Sequence, residues 1–158
     1  MVTWDGVVLA GFAREKIVAN PPTGPSTVVR CVHSAEVRRF SERLAQGLGI
    51  NGFFGVEYIV DDRAGEAWLL EINRRTTNGI PLGSMIDVDL CAALCAAING
   101  EPATGRVDLA EGEEHVIAHF SQEWSRDPES RFLKECRVDI PRDDPGVLEA
   151  MLALRHDD

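Results

Sequence analysis

No apolar run in this sequence approaches the roughly 18 residues that a membrane-spanning helix needs. The opening stretch Met1-Val2-Thr3-Trp4-Asp5 also lacks the basic and apolar blocks of a secretion signal. Both absences argue for a cytoplasmic protein with no membrane partner. Cysteine is sparse: Cys31, Cys91, Cys95 and Cys136 show neither the CxxC spacing of zinc sites nor the density of a disulfide scaffold. Free, mostly buried thiols are therefore expected. Basic residues number 16 against 26 acidic ones, and the resulting net charge of −10 repels polyanions. Nucleic acid is a poor partner for such a surface. His33, His115, His119 and His156 are too scattered to suggest a metal cluster, and the chain has no internal repeat or low-complexity tract.

What is present is enough to fold: 158 residues, 44% hydrophobic and 27% charged, fit one globular domain with a core. Asp5-Gly6 between Val2-Thr3-Trp4 and Val7-Val8-Leu9-Ala10 predicts a hairpin, because both turn residues tolerate the positive φ of a type I′ turn. Its first arm is short, as in a piece of a longer chain or a native edge strand. Residues 20–26, rich in proline and glycine, read as a loop. Ser34 and Gly49 bracket a helix with Val37, Phe40, Leu44 and Leu48 to one side. Asp87 is expected to cap another, with Val88, Cys91, Leu94, Cys95 and Ile98 as its buried stripe and Asn99-Gly100 as its end. A strand over 115–120 follows, and Asp127-Pro128 and Asp144-Pro145 each resemble a cap before a first-turn proline. Strands and helices interleave without a βαβ rhythm. The fold class is thus α+β, a mainly antiparallel sheet packed with helices.

Chemistry concentrates in one expected hairpin, residues 53–60 and 67–73 around a turn at 61–66. Strand alternation places Leu69, Glu71 and Asn73 on one face, with Arg75 in phase if the strand continues, and Trp68, Leu70 and Ile72 on the other. If Asp61 opposes Ala67, Glu57 opposes Glu71. Two carboxylates in that position destabilise a sheet unless a cation compensates. With the amide oxygen of Asn73 they form a hard donor set suited to magnesium. Arg75, and Arg74 beside it, offer bidentate contacts to phosphate. The same residues also read as an exposed sheet face with ordinary ion pairs.

Glu71-Ile72-Asn73-Arg74-Arg75, preceded by Gly55-Val56-Glu57-Tyr58, resembles the Glu-x-Asn-x-Arg signature of the ATP-grasp superfamily, with Arg74 where proline is common. The resemblance spans roughly residues 7–100 and includes a basic strand with Arg14 and Lys16 and the loop Thr23-Gly24-Pro25-Ser26-Thr27. It implies ATP and magnesium as cofactors. It further implies Glu57, Glu71 and Asn73 as metal ligands, Lys16, Glu71 and Arg75 as nucleotide contacts, and Arg75 as the catalytic group at an acyl phosphate. The implied reaction is ligation of a small carboxylate to an amine or thiol nucleophile. Residues 1–105 would belong to the ATP-grasp domain as an incomplete C-terminal subdomain, and 106–158 would extend it. Such a chain is expected to turn over ATP negligibly by itself and to self-associate through its uncovered surface. A nucleotide- or metal-binding module without turnover, or an interaction domain, remains the alternative. Lys16 and Arg14 read equally as exposed charges, and Asn78-Gly79 as a simple turn.

Overall fold

A computed structural model describes residues 1–61, 66–102 and 104–153 and contains nine strands and six helices among them. The fold is α+β, with open sheets that are antiparallel or mixed. Contacts group the chain into two compact units. The first holds Met1–Ala13 and the described residues from His33 to Glu111; the second holds Arg14–Val32 and the described residues from Gly112 onward. No helix among the described residues is long and apolar enough to cross a membrane.

In the first unit, β1 (Val2–Trp4) and β2 (Val7–Ala10) form the expected antiparallel hairpin. Asp5 and Gly6 adopt φ of 50° and 73°, the left-handed values that a two-residue type I′ turn demands. The other edge of β1 pairs with β5 (Gly52–Phe53). Thr3 is fully buried, and its hydroxyl donates to the Ile50 carbonyl at 2.8 Å, satisfying a group that would otherwise be costly to bury. Val8, Ala45, Ile50 and Phe54 make a core against this sheet.

Helix α1 (Ala35–Leu48) is capped at Ser34, whose side chain accepts the Val37 N–H, and it ends at Gly49 in the left-handed region. Its inner side differs from the apolar stripe read in sequence. Ser41 and Ala45 are its buried residues, Val37, Phe40 and Leu44 flank them half-buried, and Leu48 is exposed. Small residues let α1 approach β2 closely.

Helix α2 (Leu82–Met85) precedes α3 (Leu90–Ile98). Asp89, not Asp87, caps α3: its carboxylate accepts the N–H groups of Cys91 and Ala92, each at 2.9 Å. Asp87 instead turns the chain at φ 60°. The helix packs through Leu90 and Ala93, with Val88 buried just before it, while Cys91, Cys95 and Ile98 face outward, so the expectation of buried thiols fails there. Cys136 is half-buried and Cys31 buried. Strands β6 (Gly55–Asp61) and β7 (Glu66–Asn73) complete this unit as a two-stranded antiparallel ribbon. Residues 62–65 of the expected turn lie outside the described residues, as does His156.

The second unit is built on a four-stranded sheet in the order β3 (Ala13–Ala19), β4 (Ser26–Val32), β8 (Glu114–Ala118), β9 (Arg137–Val138). Strand β4 pairs antiparallel with β8, Val28 facing Ala118 and Val32 facing Glu114. Strand β9 runs parallel to β8. Helix α4 (Phe120–Arg126) starts where a strand continuation was expected. Asp127 closes α4 and accepts the Glu129 N–H, while Ser130 caps the next helix, α5 (Arg131–Glu135); the reading of Asp127-Pro128 as a helix entry is therefore incorrect. Asp144 does cap α6 (Pro145–Ala153), accepting the Val147 N–H at 3.0 Å.

Two substitutions test the α2–α3 junction. Loss of the Asp89 cap in Asp89→Ala should cost about 1 kcal/mol in urea unfolding. Gly83→Ala should cost more, because a Cβ there would lie 2.3 Å from the Val88 carbonyl oxygen.

Candidate functional site

The β6–β7 register determines where the candidate ligands stand. Asp61 opposes Glu66 rather than Ala67, yet Glu57 still opposes Glu71, because a bulge intervenes. Tyr58 pairs with Leu69 and Glu57 with Glu71, so Leu70 is the extra residue. The bulge also breaks the expected alternation. Leu69, paired with Tyr58, lies on the face opposite Glu57, whereas Trp68, paired with Ile59, shares the Glu57 face. That face is thus not wholly polar: Ile59 and Trp68 are 56% and 61% exposed on it.

Beyond the bulge, Gly55 opposes Asn73, which continues the Glu57–Glu71 face by one pair. The two glutamates are exposed and Asn73 is buried at the strand end. Neither glutamate forms a salt bridge with a described residue. Like charges thus face each other with no neutralising side chain among the described residues, and two carboxylates plus an amide are oxygen donors of the kind a hard divalent cation takes. Among the described residues, no three or more His, Cys, Asp or Glu side chains group so as to hold a metal. Asn73 is the amide that the register puts on the same face as the two glutamates.

The arginines fall differently. Strand β7 ends at Asn73, Arg74 and Arg75 are exposed, and Arg75 donates from Nη1 to the Thr76 carbonyl at 3.2 Å. Arg75 does not continue the strand in phase, because the chain bends there and enters a turn closed by the Ile80 N–H on the Thr77 carbonyl. Asn78-Gly79 forms the centre of that turn. Lys16 belongs to the other unit, on β3, where its ammonium donates to the Gly24 carbonyl at 2.8 Å and holds the 20–26 loop. The structure therefore groups Glu57, Glu71 and Asn73, puts Arg75 just beyond them, and gives Lys16 a local partner.

A second polar cluster, in the other unit, has no role that could be read from the sequence. Glu123 on α4 is fully buried and accepts Arg126 Nε at 2.8 Å, Arg126 Nη2 at 2.5 Å and the Ser130 hydroxyl. Burial pushes the Glu123 carboxyl upward, but the hydrogen bonds from Arg126 and Ser130 and the Arg126 charge outweigh it and leave the group below the usual carboxylate range. Four residues earlier, His119 is 1% exposed; its Nδ1 lies 2.9 Å from Asp139 Oδ2, and Asp139 Oδ1 accepts the Phe120 N–H at 2.5 Å. Asp139, delivered by the parallel β8–β9 pairing, thereby supplies the cap that His119 itself does not give α4. The Glu-x-x-Arg spacing of Glu123 and Arg126 is the sequence signal for the ion pair. Nothing local signals His119–Asp139, which are twenty residues apart. Cys31 is equally enclosed, and burial raises its thiol to about 11, far from a reactive thiolate.

No family model matches the chain, and no curated protein or solved structure does so either.

Arg126→Met would strand a buried carboxylate, so it should cost roughly 3 kcal/mol in chemical unfolding. Because the folded-state pKa of Glu123 is depressed, its contribution is present above the unfolded-state pKa and is lost as pH falls through the folded one. Glu123→Gln should therefore flatten the acid limb of the stability–pH curve while leaving the slope near neutrality unchanged.

Proposed function

We propose that this chain carries the magnesium-binding part of a cytoplasmic ATP-grasp-like ligase that activates a carboxylate as an acyl phosphate. The observation that carries the reading is the opposition of Glu57 and Glu71 across β6 and β7, with Asn73 one pair further along the same face. It is joined by the resemblance of Glu71-Ile72-Asn73-Arg74-Arg75 to the superfamily signature. In this reading the C-terminal subdomain of the ATP-grasp fold corresponds to the α1, β6–β7 and α3 region.

Glu57, Glu71 and Asn73 would hold the cation, which when bound neutralises charge on the phosphates of ATP. The remaining chemistry is ordinary acyl transfer. A carboxylate oxygen of the substrate attacks the γ-phosphorus and ADP leaves; an amine or thiol then attacks the acyl carbon, phosphate departs, and the nucleophile gives its proton to solvent. Arg75 would contact phosphate or the acyl phosphate with its planar guanidinium, exchanging the Thr76 carbonyl for phosphate oxygens. Lys16 gives one of its three ammonium protons to the Gly24 carbonyl within its own unit and would act as a nucleotide contact through the others.

The exposed Ile59, Trp68 and Leu70 favour a second reading, in which the hairpin docks apolar side chains on another protein surface, a second copy included, and performs no chemistry.

Titration of magnesium into the isotopically labelled chain separates the two. Shifts centred on Glu57, Glu71 and Asn73, with Glu71→Gln weakening binding by about tenfold or more, are expected from loss of one charged ligand. No saturable shift at these residues would refute the metal site and leave the docking role. Arg75→Lys should leave magnesium binding unchanged and lower the affinity for ATP, because an ammonium cannot make the paired contact.

A further inference from the structure

An open recess of about 390 Å³ runs along one side of α1 from Ser34 to Arg43, with Tyr58 of β6 closing one wall. Its lining combines two kinds of surface. Phe40 and Tyr58 meet edge to face, centroids 5.3 Å apart at 74°, and with Val37 they form an apolar wall. Arg39 and Arg43, one helical turn apart, stand over it.

Both arginines are exposed to solvent, and their bonding differs from that of their neighbour. Arg38, the neighbour of Arg39, is committed to Glu42 and Asp108. Arg39 and Arg43 form no ion pair or hydrogen bond with any described residue, although acidic residues outnumber basic ones 26 to 16 in the chain. Glu36 also lines the cavity but does not pair with either. The Tyr58 phenolic oxygen is buried near the Ser41 hydroxyl, and neither of the two completes a hydrogen bond of good geometry. Burial raises the ionisation of Tyr58 above the ordinary phenol value, Ser41 opposes the shift and the Glu36 charge adds to it, so the ring stays neutral while Glu36 is the one carboxylate of the lining that Arg39 and Arg43 must outweigh.

We propose that this pocket is a binding site for a small organic anion with a planar apolar body, its head group held by Arg39 and Arg43 and its body laid on Phe40 and Tyr58. Two guanidinium groups at helical spacing present paired donors to a carboxylate or a phosphate monoester. The aromatic wall gives area that an inorganic ion could not use. The site is separate from the carboxylate pair, since Tyr58 projects from the opposite face of the hairpin to Glu57. It stands or falls independently of the magnesium reading.

The chain contains a single tyrosine, so incorporation of 3-fluorotyrosine places one fluorine resonance in this wall. Benzoate, phenyl phosphate and the neutral benzyl alcohol would be titrated into the labelled protein. Saturable shifts are expected with at least one of the two anions and not with the alcohol, and the tighter anion identifies the head group. Arg39→Gln and Arg43→Gln should each weaken binding by about tenfold, the loss expected for one charged hydrogen-bond donor group. Arg137→Gln, an exposed change of equal charge in the other unit, should not. Absence of saturation with both anions, equal response to benzyl alcohol, or an equal effect of all three variants, none included, would overturn the proposal. The arginine variants lie on an exposed helix face, and an unchanged fluorine spectrum of the free protein shows that the wall is intact.

Discussion

Two carboxylates facing each other across a β-ladder repel, and the backbone of β6 and β7 holds them there regardless. The candidate site depends on that opposition. The ladder resists the repulsion because the strands stay paired on both sides of the bulge, while the electrostatic cost at an exposed pair is moderated by water. The bulge at Leu70 is what keeps the pair in line. Without it, the tip pairing of Asp61 with Glu66 would set Glu57 against Leu70, and Glu71 would slide past.

The elements that were legible in the sequence are those whose signal is local. Asp5-Gly6, the Ser34 and Gly49 pair, and Asp144-Pro145 each state a backbone geometry within a few residues, and each forms as read. The opposition of Glu57 and Glu71 was legible too, although by a register that the bulge alters further along. What was not legible falls into two kinds. Ser41 and Ala45 fill the inside of α1 because they are small, a property that a count of apolar side chains overlooks. Asp87 and Asp89 are both competent caps, and an apolar count cannot tell the Cys91–Cys95 side of α3 from the Leu90–Ala93 side that packs. The other kind is non-local. Nothing in the run from His115 to Phe120 announces that Asp139 will end that strand and start a helix.

Polar burial separates the two units in character. In the first, Thr3 is satisfied by backbone carbonyls, and Val8, Ala45, Ile50 and Phe54 form an apolar cluster beside the buried Ser41 hydroxyl. In the second, the interior around α4 holds Glu123 bonded to Arg126 and Ser130, and His119 bonded to Asp139, so that carboxylates accept every one of these bonds. Such pairings tolerate few substitutions because each member satisfies another, which makes this region demanding in chemistry even where no reaction is assigned to it.

The sheet of the second unit is assembled from strands far apart in the chain, Val28 on β4 meeting Ala118 on β8 about ninety residues later. During synthesis on the ribosome, β4 emerges long before its neighbour exists. Val28, Val29 and Cys31, all buried in the finished protein, must wait with their ladder edge open while the first unit is being made. A nascent chain stalled before β8 would thus present a β3–β4 pair with one open, apolar edge, a natural handle for a chaperone and a seed for aggregation if none arrives.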